Sequence, residues 1–352
     1  MPDILPFLKD LLSQPGLSGF ETPVADLIAG KWRPLVDEIS FSRLGSIHGL
    51  RGGTGAAPRP TLMLAAHMDA IGMLVTGNVD GFLHVSRIGG LDVRLLPGAL
   101  VTVHGRRDLP GVVVQPPPRF LPPDAHGEIP VLEHLLVDVG LPPRQLAGLV
   151  RTGDPVSFAN PPVELAGGAL SGHSLDNRAS VAALTVCLEE LQPRPHAWDA
   201  WAVATVQEET GLLGAFTSAF HLRPALAVVA DVTFAKGPGA SEWNTFPLGK
   251  GPTVTMGPNI HPALVKAFKE LAERLEIPYS MEYTSANSGT DAIATQTTAE
   301  GIPTVVLGLP IRYMHSPVEV VAVKDIQRLG RLMAEFVAGL APDFLEQITW
   351  DD

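Results

Sequence analysis

Thr61-Leu-Met-Leu-Ala-Ala-His-Met-Asp69 is the stretch on which the fold turns. The run 61–66 has the length of a strand and no alternation of polar and apolar residues, which marks a strand buried on both faces. It then gives way to an imidazole and a carboxylate, His67 and Asp69. Three further apolar runs behave alike. Ala202–Val206 leads into Glu208-Glu209, Ala225–Ala230 into Asp231, and Thr304–Leu309, after a short loop, into His315. Helical patterns flank these runs: Phe7–Leu12, Val24–Trp32, Pro262–Leu275 with Leu264, Phe268, Leu271 and Leu275 on one stripe, and Asp325–Leu340 with Ile326, Leu329, Met333, Phe336 and Leu340 on another. Helices interleaved with wholly apolar strands predict an α/β fold whose mixed, largely parallel sheet is flanked by helices.

Residues 76–165 read differently. Prolines and glycines punctuate short β runs at Gly81–Arg87, Ala99–His104, Pro110–Val114, Leu135–Gly140 and Asp154–Phe158, with little helical pattern between them and an exposed loop expected over Arg119–Glu128. The expected organisation is a discontinuous α/β domain, 1–75 and 166–352, interrupted by an inserted all-β domain, 76–165.

Composition narrows the function. The 352 residues carry 37 acidic and 25 basic side chains, a net charge of -12, which disfavours nucleic-acid and anionic-membrane partners. No apolar stretch reaches the length of a membrane span. A single cysteine, Cys187, excludes a disulfide framework and a Cys-rich zinc module; it falls in an apolar run and reads as a buried helix residue. Met1–Asp10 lacks the pattern of a secretory signal, so a reducing, cytoplasmic setting is expected.

Polar groups just beyond the carboxyl ends of strands in an open α/β sheet converge on one crevice. His67, Glu208, Glu209, Asp231 and His315 are such groups, and Asp176 opens the helical run 177–191. Imidazoles and carboxylates without thiolate suit zinc, cobalt or manganese. Five ligands exceed what one tetrahedral ion needs and suffice for two ions sharing a carboxylate. Each group also has a plainer reading: Asp176 as a helix cap, Glu208-Glu209 as a solvated loop, Asp231 as a turn residue, His67 and His315 as hydrogen-bonded loop histidines. Taken jointly, the metal-site reading accounts for all of them.

The sequence also resembles the M42 family of metallo-aminopeptidases. The likeness is carried by Leu12-Ser-Gln-Pro-Gly-Leu-Ser-Gly-Phe-Glu21, Ala66-His-Met-Asp-Ala-Ile-Gly72, Leu136-Val-Asp-Val-Gly140, Ser174-Leu-Asp-Asn-Arg178, Gln207-Glu-Glu-Thr-Gly211, Gly289-Thr-Asp-Ala292 and Arg312-Tyr-Met-His-Ser-Pro-Val-Glu319. The resemblance implies two divalent ions bridged by Asp176, one completed by His67 and Asp231, the other by Glu209 and His315. It implies Glu208 as general base, Asp69 as the partner that orients the His67 ring, and Asp291 as a residue lining or supporting the substrate site. It also implies a di-zinc exopeptidase-like catalytic domain, an inserted β-barrel-like domain used in dimerisation and assembly, and homo-oligomers that in many members are dodecamers built from dimers. The implied activity is release of N-terminal residues from short peptides. Alternatives are deacylation of N-acyl amino acids by the same metal pair, an endoglucanase-type glycosidase, and a non-catalytic assembly protein. Departures at Ala70, His173 and Ser180 touch none of the proposed ligands. The segments 235–250 and Met281–Asn287 are candidates for the substrate side-chain pocket.

Overall fold

The computed structural model describes residues 3–121, 129–286 and 288–350. Its helices are α1 (Leu5–Ser13), α2 (Thr22–Trp32), α3 (Pro143–Leu149), α4 (Leu175–Leu191), α5 (Glu208–Gly211), α6 (Leu213–Leu222), α7 (Pro262–Arg274), α8 (Asp291–Gln296), α9 (Val323–Gly339) and α10 (Phe344–Gln347). The strands are β1 (Glu38–Phe41), β2 (Ile47–Arg51), β3 (Thr61–His67), β4 (Gly72–Val79), β5 (Phe82–Ile88), β6 (Leu100–His104), β7 (Asp108–Val114), β8 (Leu136–Asp138), β9 (Pro155–Phe158), β10 (Val163–Leu165), β11 (Ala169–Gly172), β12 (Asp199–Thr205), β13 (Leu226–Phe234), β14 (Thr253–Met256), β15 (Ser280–Tyr283), β16 (Thr304–Arg312) and β17 (Glu319–Ala322).

Eleven strands form one mixed sheet in the order β1-β2-β12-β3-β13-β16-β17-β11-β10, with β14 pairing β16 and β15. The four expected apolar runs are its central strands β12, β3, β13 and β16, mutually parallel as burial on both faces requires. The pairings at the flanks are antiparallel, apart from β14 with β15. Helix α4 lies against this centre with 15 of its 17 residues buried, Cys187 among them. A helix apolar all round must be covered on every side. Helix α9 supplies one cover: a Cβ on Gly330 would fall 2.5 Å from the Ala183 carbonyl oxygen, so the two helices approach closer than alanine permits. Phe268 of α7 stacks on Phe336 of α9 with ring centroids 4.3 Å apart, which extends the core outward.

The remaining strands close into a separate six-stranded barrel, β4-β5-β8-β7-β6-β9, around Met73, Val85, Val101, Val113, Val137 and Val156. Its strands run from Gly72 to Phe158, and Val163–Leu165 pairs with β11 in the large sheet. The region also contains a helix, α3, that the proline-rich sequence around it concealed; Pro143 occupies its first turn, where no backbone donor is lost. Of the expected loop at Arg119–Glu128, residues 122–128 lie outside the described residues. Among the described residues no helix is long and apolar enough to cross a membrane.

Where β2 meets α6, His48 is buried beneath His221 and its Nε2 lies 2.9 Å from the Ser218 hydroxyl. Burial first, and His221 second, push its pKa down from 6.5 to about 4. The unfolded chain therefore takes up this proton before the folded one does. Stability from this site is whole above about pH 6.5 and is lost as pH falls toward about 4. Urea unfolding across that range should show this decline, and His48→Gln should flatten its acid limb; an unchanged slope would remove His48 as the cause.

Candidate active site

The cavity at the carboxyl edge of β3, β12, β13 and β16 has a volume of about 470 Å³ and is lined by His67, Asp176, Glu208, Glu209, Asp231 and His315, among others. All six groups proposed as ligands or base thus meet in one place. Asp176 stands at their centre. Its Oδ1 lies 3.1 Å from His67 Nε2 and its Oδ2 lies 3.2 Å from His315 Nε2, so each carboxylate oxygen faces a different imidazole. His67 Nε2 is also 3.7 Å from Asp231 Oδ1 and 3.8 Å from Glu208 Oε2, and His315 Nε2 is 3.5 Å from Glu209 Oε2. Two groups have donor atoms all within 4.8 Å of one another, His67–Asp176–Glu209 and His67–Glu208–Asp231.

Three of the segments that deliver these donors are held in unusual backbone conformations. Ser174 (φ 68°), Gln207 (φ 56°) and His315 itself (φ 62°) occupy the left-handed region without being glycine. Each costs on the order of 1 kcal/mol or more and persists only where the surroundings dictate it. Asp176 has non-helical φ and ψ at a kink inside α4 and precedes a cis peptide to Asn177; its two carboxylate oxygens turn to His67 and His315. Asp231 is not at a strand end, since β13 continues to Phe234. Glu208 and Glu209 do not diverge as neighbours on a strand would. They open the single turn α5, which directs both into the cavity.

Asp69 does more than the orienting role the resemblance implies. Its Oδ1 lies 3.5 Å from His67 Nδ1, while its own carbonyl oxygen is nearer at 3.2 Å. Its carboxylate accepts hydrogen bonds from the Glu208 N–H (3.0 Å), the Glu209 N–H (3.2 Å) and the Ser18 hydroxyl, and so fixes the turn that carries both glutamates. Asp291 is the residue expected to line or support the substrate site. It is 1% exposed and accepts a hydrogen bond from Thr205, behind the cavity that Thr290 lines. It is not a helix cap, because the Thr290 hydroxyl fills that place.

Sequence reasoning gave no role to Glu319 and Arg178. Glu319 accepts the N–H of Asp176 on one oxygen (3.1 Å) and that of His315 on the other (2.9 Å), setting the separation of the two donors. Arg178, 1% exposed, donates to the carbonyls of Met68, Leu11, Gln14 and Gly16. It ties the end of α1 to the residue between His67 and Asp69. Both side chains stand inside the quoted motifs; their spacing signalled importance without showing what they touch. From the barrel side, Gly89 and Gly90 close on the same groups: a Cβ on Gly90 would fall 2.6 Å from His315 Nδ1, and one on Gly89 3.2 Å from Glu209 Oε2.

Crowding of acids governs the electrostatics. Burial, against the pull of His67, raises Glu208 to about 10. Burial and Asp176 raise Glu209 to about 8, and burial raises Asp231 to about 8. Burial opposes charge on His67, yet Glu208, Asp176, Asp69 and Asp231 together hold its pKa well above the ordinary value. Asp176 is held below the carboxylate range in spite of burial, by hydrogen bonds to His315 and His67. Glu209 Oε1 is buried with no hydrogen-bond partner. A buried acceptor without a donor, among carboxylates that raise one another's pKa, is what a cation-binding cluster requires. The donor set fits a hard or borderline divalent ion.

The relatives of this chain identify it as a peptide hydrolase. The sequence profile of the M42 glutamyl aminopeptidase family matches residues 45–332. The lysyl aminopeptidase of Pyrococcus furiosus is 35% identical over 348 residues, covering 95% of this chain and 97% of that one. The aminopeptidase APDkam598 from the archaeon Desulfurococcus kamchatkensis superposes with a TM-score of 0.90 at 33% identity, covering 98% and 97%. The Pyrococcus horikoshii TET1 peptidase, which can assemble into a tetrahedron or a large octahedral shell, gives 0.83 at 28% identity, covering 96% and 100%. The chain belongs to the M42 family and is of aminopeptidase type.

Arg178→Met leaves carbonyls of the α1 loop and of Met68 without donors and removes the cation that Asp69, Glu21 and Glu319 face. It should destabilise the protein by on the order of 3–5 kcal/mol in urea unfolding. A loss below about 1 kcal/mol would show that the clamp holds nothing.

Proposed function

We propose that this chain is a dinuclear metal-dependent aminopeptidase with Asp176 as the bridging ligand and Glu208 as the general base. The observation that carries the reading is the placement of one Asp176 oxygen against His67 and the other against His315. Asp231 stands on the His67 side and Glu209 on the His315 side, which supports the two ligand sets assigned from the resemblance. Two divalent ions, zinc or cobalt first and manganese third, would supply the positive charge that ionises these acids, activates water and polarises the scissile carbonyl.

Glu208 is left to move the proton. It takes one from the attacking water and returns it to the leaving amine as the peptide C–N bond breaks. Asp69 fixes the position of Glu208 through its backbone N–H. The acidic lining favours a substrate that presents a free α-ammonium, which restricts attack to the first residue and weighs against the deacylase alternative. The inserted barrel (76–165 by sequence, with its strands spanning 72–158) is read as the dimerisation and assembly domain. Its exposed Val79, Phe82 and Leu100 support a covered surface, and the assemblies of the TET1 relative support a homo-oligomer, in the limit a dodecamer built from dimers. A single buried thiol at Cys187 suits a cytoplasmic setting.

Glu208→Gln should retain the metal content of the wild type by elemental analysis while kcat on amino-acid anilides falls roughly 10²–10⁴-fold. A fully active variant excludes Glu208 as the base. Chelation should abolish turnover and added zinc, cobalt or manganese restore it, and His315→Ala should lower the bound metal per subunit. Equal cleavage of free and N-blocked peptides would rule out an aminopeptidase.

A further inference from the structure

We infer that the cavity selects a basic first residue, lysine or arginine, and that Glu282 is the specificity-determining group that receives its side-chain cation. This rests on the aminopeptidase reading above and names the substrate class of the same site.

The argument begins with strand register. Asp231 of β13 pairs with Gly308 of β16, and Gly308 pairs with Thr253 of β14. Thr255, two residues beyond Thr253, pairs with Glu282 of β15. Register partners, and residues two apart on one strand, share a face of the sheet. Asp231, Thr233, Thr253, Thr255 and Glu282 therefore stand on the face that carries the proposed metal ligand. Between Asp231 and Thr253 residue 308 is glycine, and the space its side chain would take is filled by the Thr253 hydroxyl and the Glu282 carboxylate. A Cβ on Gly308 would stand 2.9 Å from Glu282 Oε2 and would also collide with the Thr253 hydroxyl. The Glu282 carboxylate thus leans back across the gap toward Asp231, and both residues line the same cavity.

Three hydroxyls aim this carboxylate. Thr233 donates to Oε1 at 2.8 Å; Thr253 and Thr255 donate to Oε2 at 2.7 and 3.5 Å. Every one of these partners is neutral. Among the described residues none of the ion pairs involves Glu282, although a half-buried acid with a purely structural task usually meets a base. A carboxylate oriented by hydroxyls, unpaired, and facing a cavity already rich in acids can be completed by a cation brought by the substrate.

The length agrees. Adjacent strands lie about 4.8 Å apart, so Gly308 places the carboxylate one to two strand spacings from Asp231. An extended lysine side chain carries its ammonium roughly 6 Å from its Cα. The aliphatic stem lies along the cavity lining, with Phe234 and Met314 among its apolar walls. An acidic first residue would instead meet Glu282 with like charge, in contrast to the glutamyl preference in the family's description.

The test compares lysyl, norleucyl and glutamyl anilides on the metal-reconstituted enzyme, since norleucine reproduces the lysine stem without its ammonium. Wild-type kcat/KM should favour lysyl over norleucyl by roughly 10- to 100-fold, chiefly through KM, with glutamyl the slowest. In Glu282→Gln the lysyl-to-norleucyl ratio should fall to about one. Calorimetric binding of free L-lysine and L-norleucine to the same two proteins supplies a readout independent of turnover and should show the same loss of discrimination. An active enzyme with no lysyl preference, or a ratio unchanged in Glu282→Gln, overturns this inference and leaves the aminopeptidase standing. Should the variant not fold, the wild-type ratio and wild-type binding decide alone. Glu282-dependent lysine binding without turnover of any anilide supports the subsite and overturns the aminopeptidase reading; neither binding nor turnover overturns both.

Discussion

Like charges forced together out of water are the constraint around which this molecule is built. Asp176, Glu208, Glu209 and Asp231 share one cavity with two imidazoles, and burial, helped by the neighbouring carboxylates, drives three of these acids toward the neutral form. An apolar packing of similar volume would be more stable. Such a cluster persists where the surrounding structure overdetermines it and where its chemistry is used. The backbone around it bears the signs: left-handed residues at 174, 207 and 315, each beside a donor or itself one.

Rigidity comes from polar groups behind the donors. Asp69 holds the Glu208–Glu209 turn by its N–H groups, Glu319 spaces Asp176 from His315, and Arg178 fixes the loop on which His67 and Asp69 sit. Apart from the bond between Glu319 and His315, each of these joins elements more than a hundred residues apart. The apolar centre beneath, made of α4 and the four parallel strands, gives them an unyielding floor.

That division explains what was legible in the sequence. His67 and His315 could be read because an apolar run ends and an imidazole follows; the four buried strands and the long helices were equally plain. The inserted β region was visible because prolines and glycines break it into short runs. Glu319 and Arg178 were not assigned, since a buried polar side chain that serves backbone groups across the fold leaves no periodic trace. The turn that carries Glu208 and Glu209 was not legible, because the left-handed residue that begins it is Gln207, not glycine. Asp231 was placed at a strand terminus because polarity was read as termination, whereas β13 continues past it. Glu282 lay in a stretch already singled out, yet its orientation depends on threonines from two other strands.

The barrel leaves the main sheet five residues after His67, and its glycines at 89 and 90 rest against Glu209 and His315. The link between the two halves therefore runs through the reactive centre itself. Any side chain larger than hydrogen at either glycine would press on the cluster, so the two bodies can sit this near only while that stretch of chain stays naked.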